Sequence, residues 1–218
     1  MRKIWFVVVL FINTALPLSA EDSTKPVIEG VYTPTSAVRL KPAEIAVASS
    51  RYINRFQSAL KGELLAGMKA GGPVEALDIC KIEAPKIAAA HTDSGWSIKR
   101  VSDRNRNPQN IADSVEADIL NRFVEGKATP AAFGHWVKPD SLYHYYAPIV
   151  TGKLCLNCHG DAASLASGVP EKLKELYPDD RAVGYKEGDI RGLFVVEVKW
   201  PDGKEYMEQL LADSTLAE

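Results

Sequence analysis

The chain has 218 residues, 46% of them hydrophobic and 25% charged, a balance suited to one globular domain with a substantial core. A formal net charge of −2 excludes the basic face that a nucleic-acid partner would want. With only three cysteines and four histidines in the whole sequence, any motif built from both stands well clear of chance.

The first twenty residues read as an export signal. Arg2 and Lys3 give a basic start, Ile4 to Leu16 is almost wholly apolar, Pro17 breaks the helix, and Leu18-Ser19-Ala20 offers small residues before a cut at Glu21. The apolar run is short for a bilayer span, so cleavage, a periplasmic location and no membrane span in the mature chain are expected. Leu18 is a less usual residue at a cleavage site, which keeps an uncleaved anchor as the alternative. Cleavage removes two cations and no acid, taking the formal charge from −2 to −4.

Residues 21–41, with Pro26 and Pro34 and no periodicity, read as an extended arm leading into one domain over 42–214. From Pro42, Ile45, Tyr52, Phe56, Leu60, Leu64 and Met68 recur at helical spacing until Gly71-Gly72 stops the run near Ala70. Pro73 opens a second helix to about Ala90, with Ala76, Leu77, Cys80, Ala84 and Ile87 on one stripe and a kink expected at Pro85. Trp96 to Val101 alternates as a half-buried strand, followed by a polar loop from Ser102 to Asn110. A helix is expected from about Ile111 to Glu125, with Val115, Ile119, Leu120 and Phe123 as its apolar face.

Phe133 to Val137 and Ser141 to Val150 read as strands around a Pro139-Asp140 turn. Glu171 to Tyr177 reads as a short helix, and Gly192 to Trp200 as a strand after the turn at Lys186 to Asp189. Long helices followed by antiparallel strands make an α+β pattern, unlike the all-helical small electron-carrying cytochromes c.

Cys155-Leu156-Asn157-Cys158-His159 lies just after the strand ending at Val150. Two thiols separated by two residues can add to the two vinyl groups of one porphyrin, and the histidine directly after the second is then placed against one face of the iron. A redox dithiol and a zinc site are the competing readings. The dithiol usually lies between a strand and a helix and follows an aromatic residue, whereas Thr151 to Leu154 is a loop without one. Zinc would need a second ligand pair at short spacing, which Cys80 and the scattered histidines do not provide. The motif therefore predicts covalent haem through Cys155 and Cys158, with His159 as an axial ligand. Attachment of this kind occurs outside the cytoplasm, in agreement with the export signal.

The other axial position is open to Cys80, Met68, Met207, His91, His135 or His144. Cys80 faces inward on its stripe, though a buried free cysteine is as often a small hydrophobe. Two of its fellow thiols are taken by haem, and an unpaired thiol in an oxidising compartment asks for an explanation. Arg104 and Arg106 could hold the haem propionates, or belong to a solvated loop.

Four ordered segments carry a resemblance: Glu75 to Cys80, Arg106 to Asn110, Tyr145 to Gly160, and Tyr177 to Gly192. Together, over about residues 42–200, they resemble the bacterial c-type-haem family with a PAS-like fold. The resemblance implies a PAS-like antiparallel sheet with long N-terminal helices, a single c-type haem, and Cys80 as the axial ligand opposite His159. Thiolate ligation would stabilise ferric iron, and its weakening on reduction would open a site for a small diatomic ligand.

The expected function is a periplasmic monohaem protein for redox or small-ligand sensing, a binder and not an enzyme. An electron-transfer cytochrome c is the alternative, and a peroxidase-like enzyme a third class. No kinase or chemoreceptor portion follows Glu218, so a signal would leave through a redox or signalling partner protein.

Overall fold

The computed structural model describes residues 41–92, 94–126 and 134–213. The export signal, all but the last residue of the 21–41 arm, and Phe133 lie outside them. The first element, α1 (Lys41–Ala90), is broken at Gly71 and Gly72, where Gly72 has φ +77°. Only glycine enters that region without strain. The break folds α1 back on itself: a Cβ on Gly67 would stand 2.7 Å from the Ala76 Cα, and at the open end the Tyr52 hydroxyl donates to the His91 carbonyl. The backbone stays helical at Pro85.

Four strands follow, β1 (Trp96–Val101), β2 (Gly134–Lys138), β3 (Leu142–Val150) and β4 (Ile190–Lys199). They form one sheet in the order β1-β4-β3-β2, with every neighbouring pair antiparallel. Period-two burial gives it two apolar faces. On one, Trp96, Ile98, Tyr143, Tyr145, Val196 and Val198 pack with Ile45, Tyr52 and Phe56 of α1 and with Met207 and Leu210 of α5 (Lys204–Ala212). On the other, Val101, Tyr146, Leu193 and Val195 meet Ile119, Leu120 and Phe123 of α2 (Ser114–Val124). This is the expected α+β architecture.

The start of α2 corrects the sequence reading. Ile111 forms a bridge with Ser102, and the helix begins at Ser114 behind a capping box. Asp113 accepts from the Val115 and Glu116 amides while Glu116 accepts from the Asp113 amide. Val115, expected on the apolar face, is 49% exposed. The helix α5 was not anticipated, and neither was α3 (Leu156–His159), which follows a 3-10 turn at Lys153–Cys155. The last helix before β4, α4 (Val169–Leu176), starts two residues earlier than expected, with Pro170 in its first turn.

Among the described residues no helix is long and apolar enough to cross a membrane.

Candidate functional site

Antiparallel pairing brings the ends of β1 and β3 to the same edge as the start of β4. The Cys-x-x-Cys-His residues leave β3 there and curl into α3. Their approach is pinned to the turn before β4: the Thr151 amide donates to the Asp189 carbonyl and the Gly188 amide to the Thr151 carbonyl, each at 2.8 Å. Beyond α3, the Gly184 amide donates to the Gly160 carbonyl at 2.7 Å and the Tyr185 amide to the His159 carbonyl at 3.0 Å. Gly160 is needed for the close turn, since a Cβ there would stand 2.6 Å from the Leu156 carbonyl oxygen.

His159 Nδ1 lies 2.7 Å from the Ala182 carbonyl oxygen. A carbonyl only accepts, so Nδ1 carries the hydrogen and Nε2 keeps its lone pair. Among the described residues Nε2 has no hydrogen-bond partner. Burial first, then Arg106 and Arg191, hold the ring well below the usual histidine range, so the neutral form is the one present. A neutral imidazole oriented through its far nitrogen is the arrangement a metal-ligating histidine requires.

Cys158 packs into a third apolar cluster formed by Leu77 of α1 with Val169 and Leu173 of α4. Leu77 lies one helical turn from Cys80. The same arm of α1 is fastened on either side of Cys80, by Lys172 to Asp78 at 3.0 Å and by the Lys81 ammonium donating to the Leu176 carbonyl at 3.1 Å. Burial pushes the thiols of Cys80 and Cys158 up. Arg100, Arg106 and Arg191 pull against that at Cys80. Cys80, Cys155, Cys158 and His159 thus share one neighbourhood built from three separate elements. Two thiols with two residues between them, beside an imidazole with an unbonded Nε2, suit covalent haem. Among the described residues no three His, Cys, Asp or Glu side chains converge as a bare metal ion would need.

The loop after β1 clamps this neighbourhood. Arg106 donates to the Cys158 carbonyl at 2.5 Å and pairs with Asp180 at 3.0 Å. Arg104 donates to the carbonyls of Val183 and Arg181 and lies 4.2 Å over the Tyr185 ring. Both guanidinium groups are therefore engaged by protein, holding residues 180–185 against α3. A groove of about 470 Å³ runs along the outer side of α3, lined by Lys153, Leu156, Asn157, Tyr185 and Lys186 among others.

Residues 29–199, which contain all of these elements, match the Tll0287-like family. The chain belongs to the Tll0287-like family. It is also similar to a crystal structure described as that of the cyanobacterial heme-protein Tll0287, at 25% identity and a TM-score of 0.50, over 69% of this chain and 92% of that one. No curated protein matches the chain.

Of the residues considered for the second axial position, this Tll0287-like chain brings Cys80 to the motif and holds the others elsewhere. His91 Nδ1 donates to the Ile87 carbonyl at 2.8 Å and the ring packs on Phe56. His144 lies between Tyr146, at 3.1 Å, and Glu197, at 3.2 Å, while His135 stacks on Tyr146. Met207 is buried in the main core, and Met68 lies half-buried on α1.

Two residues of the Tll0287-like site were not singled out from sequence. Arg100 follows Trp96 and Ile98 on one face of β1, half-buried, and Arg191 is the second residue of β4. A signal for Arg100 existed, since the alternation that buries Trp96 and Ile98 continues onto it. None marked Arg191 beyond its position next to Gly192.

Proposed function

We propose that this chain is a c-type haem protein that binds one haem covalently through Cys155 and Cys158, with His159 and Cys80 as axial ligands, and acts in the periplasm in redox or small-ligand sensing without catalysing a reaction. The observation that carries the reading is the bond from His159 Nδ1 to the Ala182 carbonyl, which leaves Nε2 unbonded directly after the two thiols of the motif. The similarity to a protein described as a heme-protein supports it. The four-stranded antiparallel sheet with its preceding helical hairpin supports the PAS-like reading.

Haem bound here would supply an iron that changes oxidation state and accepts a small ligand. The chain's own residues do the rest. Cys155 and Cys158 would fix the position of the group, because the 3-10 turn ending at Cys155 runs directly into α3 and holds them about one turn apart. The Ala182 carbonyl fixes the tautomer and orientation of His159. Cys80 comes from α1, far from the motif in sequence, and would supply the second ligand; without that bond the group would have a position open to a small molecule.

The experiment is a set of absorption spectra of the exported holoprotein, ferric and ferrous, with and without carbon monoxide, for the parent and for Cys80→Ala. A low-spin thiolate-type ferric spectrum in the parent, lost in Cys80→Ala, is expected. Carbon monoxide should bind the reduced parent if the role is ligand sensing. A parent that keeps both ligands in each state and excludes carbon monoxide would favour an electron carrier. An unchanged spectrum in Cys80→Ala would remove that residue from the site.

A further inference from the structure

Arg191 presents a fully buried Nε with no hydrogen-bond partner. Among the described residues no carboxylate forms an ion pair with Arg191 or with Arg100. Both side chains are half-buried, and a cation drawn out of water is costly without an anion to match it. The chain supplies many acids, yet the described ones sit elsewhere.

The two groups come from adjacent strands at the site's edge of the sheet. Arg100 is paired in register with Phe194, and β4 presses against β1 at the next step, where a Cβ on Gly192 would stand 2.4 Å from the Val101 carbonyl oxygen. That close approach keeps Arg191 near the end of β1. Arg191 hydrogen-bonds to Cys155, and Arg100 is near enough to Cys80 for their charges to interact. Burial pushes both below the usual arginine range, helped at Arg100 by the charge of Arg191 and at Arg191 by that of Arg106. Arg106, the third cation here, already has Asp180.

We infer that Arg100 and Arg191 are the anchor for the two carboxylates of the bound haem, a role the loop residues Arg104 and Arg106 leave to them because both are engaged by protein. Two forked donors against two carboxylates balance in charge. The inference rests on the haem reading above, and goes beyond it in naming which side chains meet the cofactor's acidic edge.

A crystal structure of the holoprotein tests it without any substitution. Guanidinium nitrogens of Arg100 and Arg191 should stand within hydrogen-bond distance of carboxylate oxygens. Carboxylates directed to Lys153 and Lys186 of the outer groove, or to solvent, would overturn it. In solution, Arg191→Gln and Arg100→Gln holoproteins, confirmed by mass to carry haem, should shift the propionate-bending band in the resonance Raman spectrum and lower the midpoint potential. Arg191→Lys should restore most of the potential, because the charge returns. An unmoved band in both glutamine variants would overturn the inference. A high-spin ferric spectrum in Arg100→Gln with an unmoved band would give Arg100 to the Cys80 sulfur instead, and overturn its share. Protein that never acquires haem sinks the haem reading, which is a different failure from coloured protein whose carboxylates lie elsewhere.

Discussion

Arg106 and Asp180 form an ion pair at 3.0 Å with side chains only 12% and 9% exposed. Because Arg106 also donates to the Cys158 carbonyl and Asp180 accepts the Ala182 amide, the pair joins the haem-motif helix to the segment that orients His159. Removing one member of a buried pair strands the other. Arg106→Ala should destabilise the holoprotein by roughly 3–5 kcal/mol in denaturant unfolding, whereas the double variant Arg106→Met/Asp180→Leu should recover part of that loss. A single variant as stable as the parent would show that the pair is solvated in solution.

Gly67 lies against Ala76 where the arms of α1 cross, with no space for a Cβ. Gly67→Ala should separate the arms, lowering stability by about 1–3 kcal/mol. Since the second arm carries Cys80, the ferric absorption spectrum should change along with the melting temperature. A melting shift with an unaltered spectrum would uncouple the hairpin from the site.

Phe123 belongs to the cluster on the opposite face of the sheet from α1. Phe123→Ala should cost about 3–5 kcal/mol by leaving a cavity, and should leave the haem spectrum as it was. A spectral change in this variant would place α2 in contact with the cofactor.

How much of this was legible in the sequence depends on how local each signal is. The two helices of α1 could be read because the period of Ile45, Tyr52 and Phe56 stops at a Gly-Gly pair, though not their folding back on each other, and β1, β3 and β4 could be read from alternation and β-branched runs. The start of α2 was misplaced because Ile111 looks periodic with the helix, while Asp113 and Glu116 carry the capping-box spacing that decides the boundary. In α5 only Met207 and Leu210 of nine residues are buried, too sparse a stripe to stand out.

The same reasoning sorts the site. The haem motif is five consecutive residues and needs no tertiary information. The roles of Arg104 and Arg106 depend on partners 79 and 74 residues further along the chain, so their composition suggested anion binding while their contacts show a clamp. Arg191 is notable only because its Nε is buried and unmatched, a property no spacing rule can express.

His135 stacks on Tyr146 at 5.7 Å between ring centres, and burial, then neighbouring His144, lowers its pKa below the usual value. The folded state therefore binds this proton less readily than the unfolded chain does. Its contribution to stability is full above about pH 6.5 and declines as the pH falls below that, until the folded-state histidine itself is protonated. The holoprotein should lose stability on acidification through this window, and His135→Gln should lose less. Parallel stability–pH curves for the two proteins would contradict the assignment.

Covalent haem on residues 155–159 is tested most directly by intact-mass measurement of the exported, purified protein, read beside its absorption spectrum. The expected result is a coloured protein carrying one added haem that survives denaturation and acid extraction, absent when Cys155 and Cys158 are both replaced by Ala. Colourless material with the mass of the polypeptide alone would contradict it.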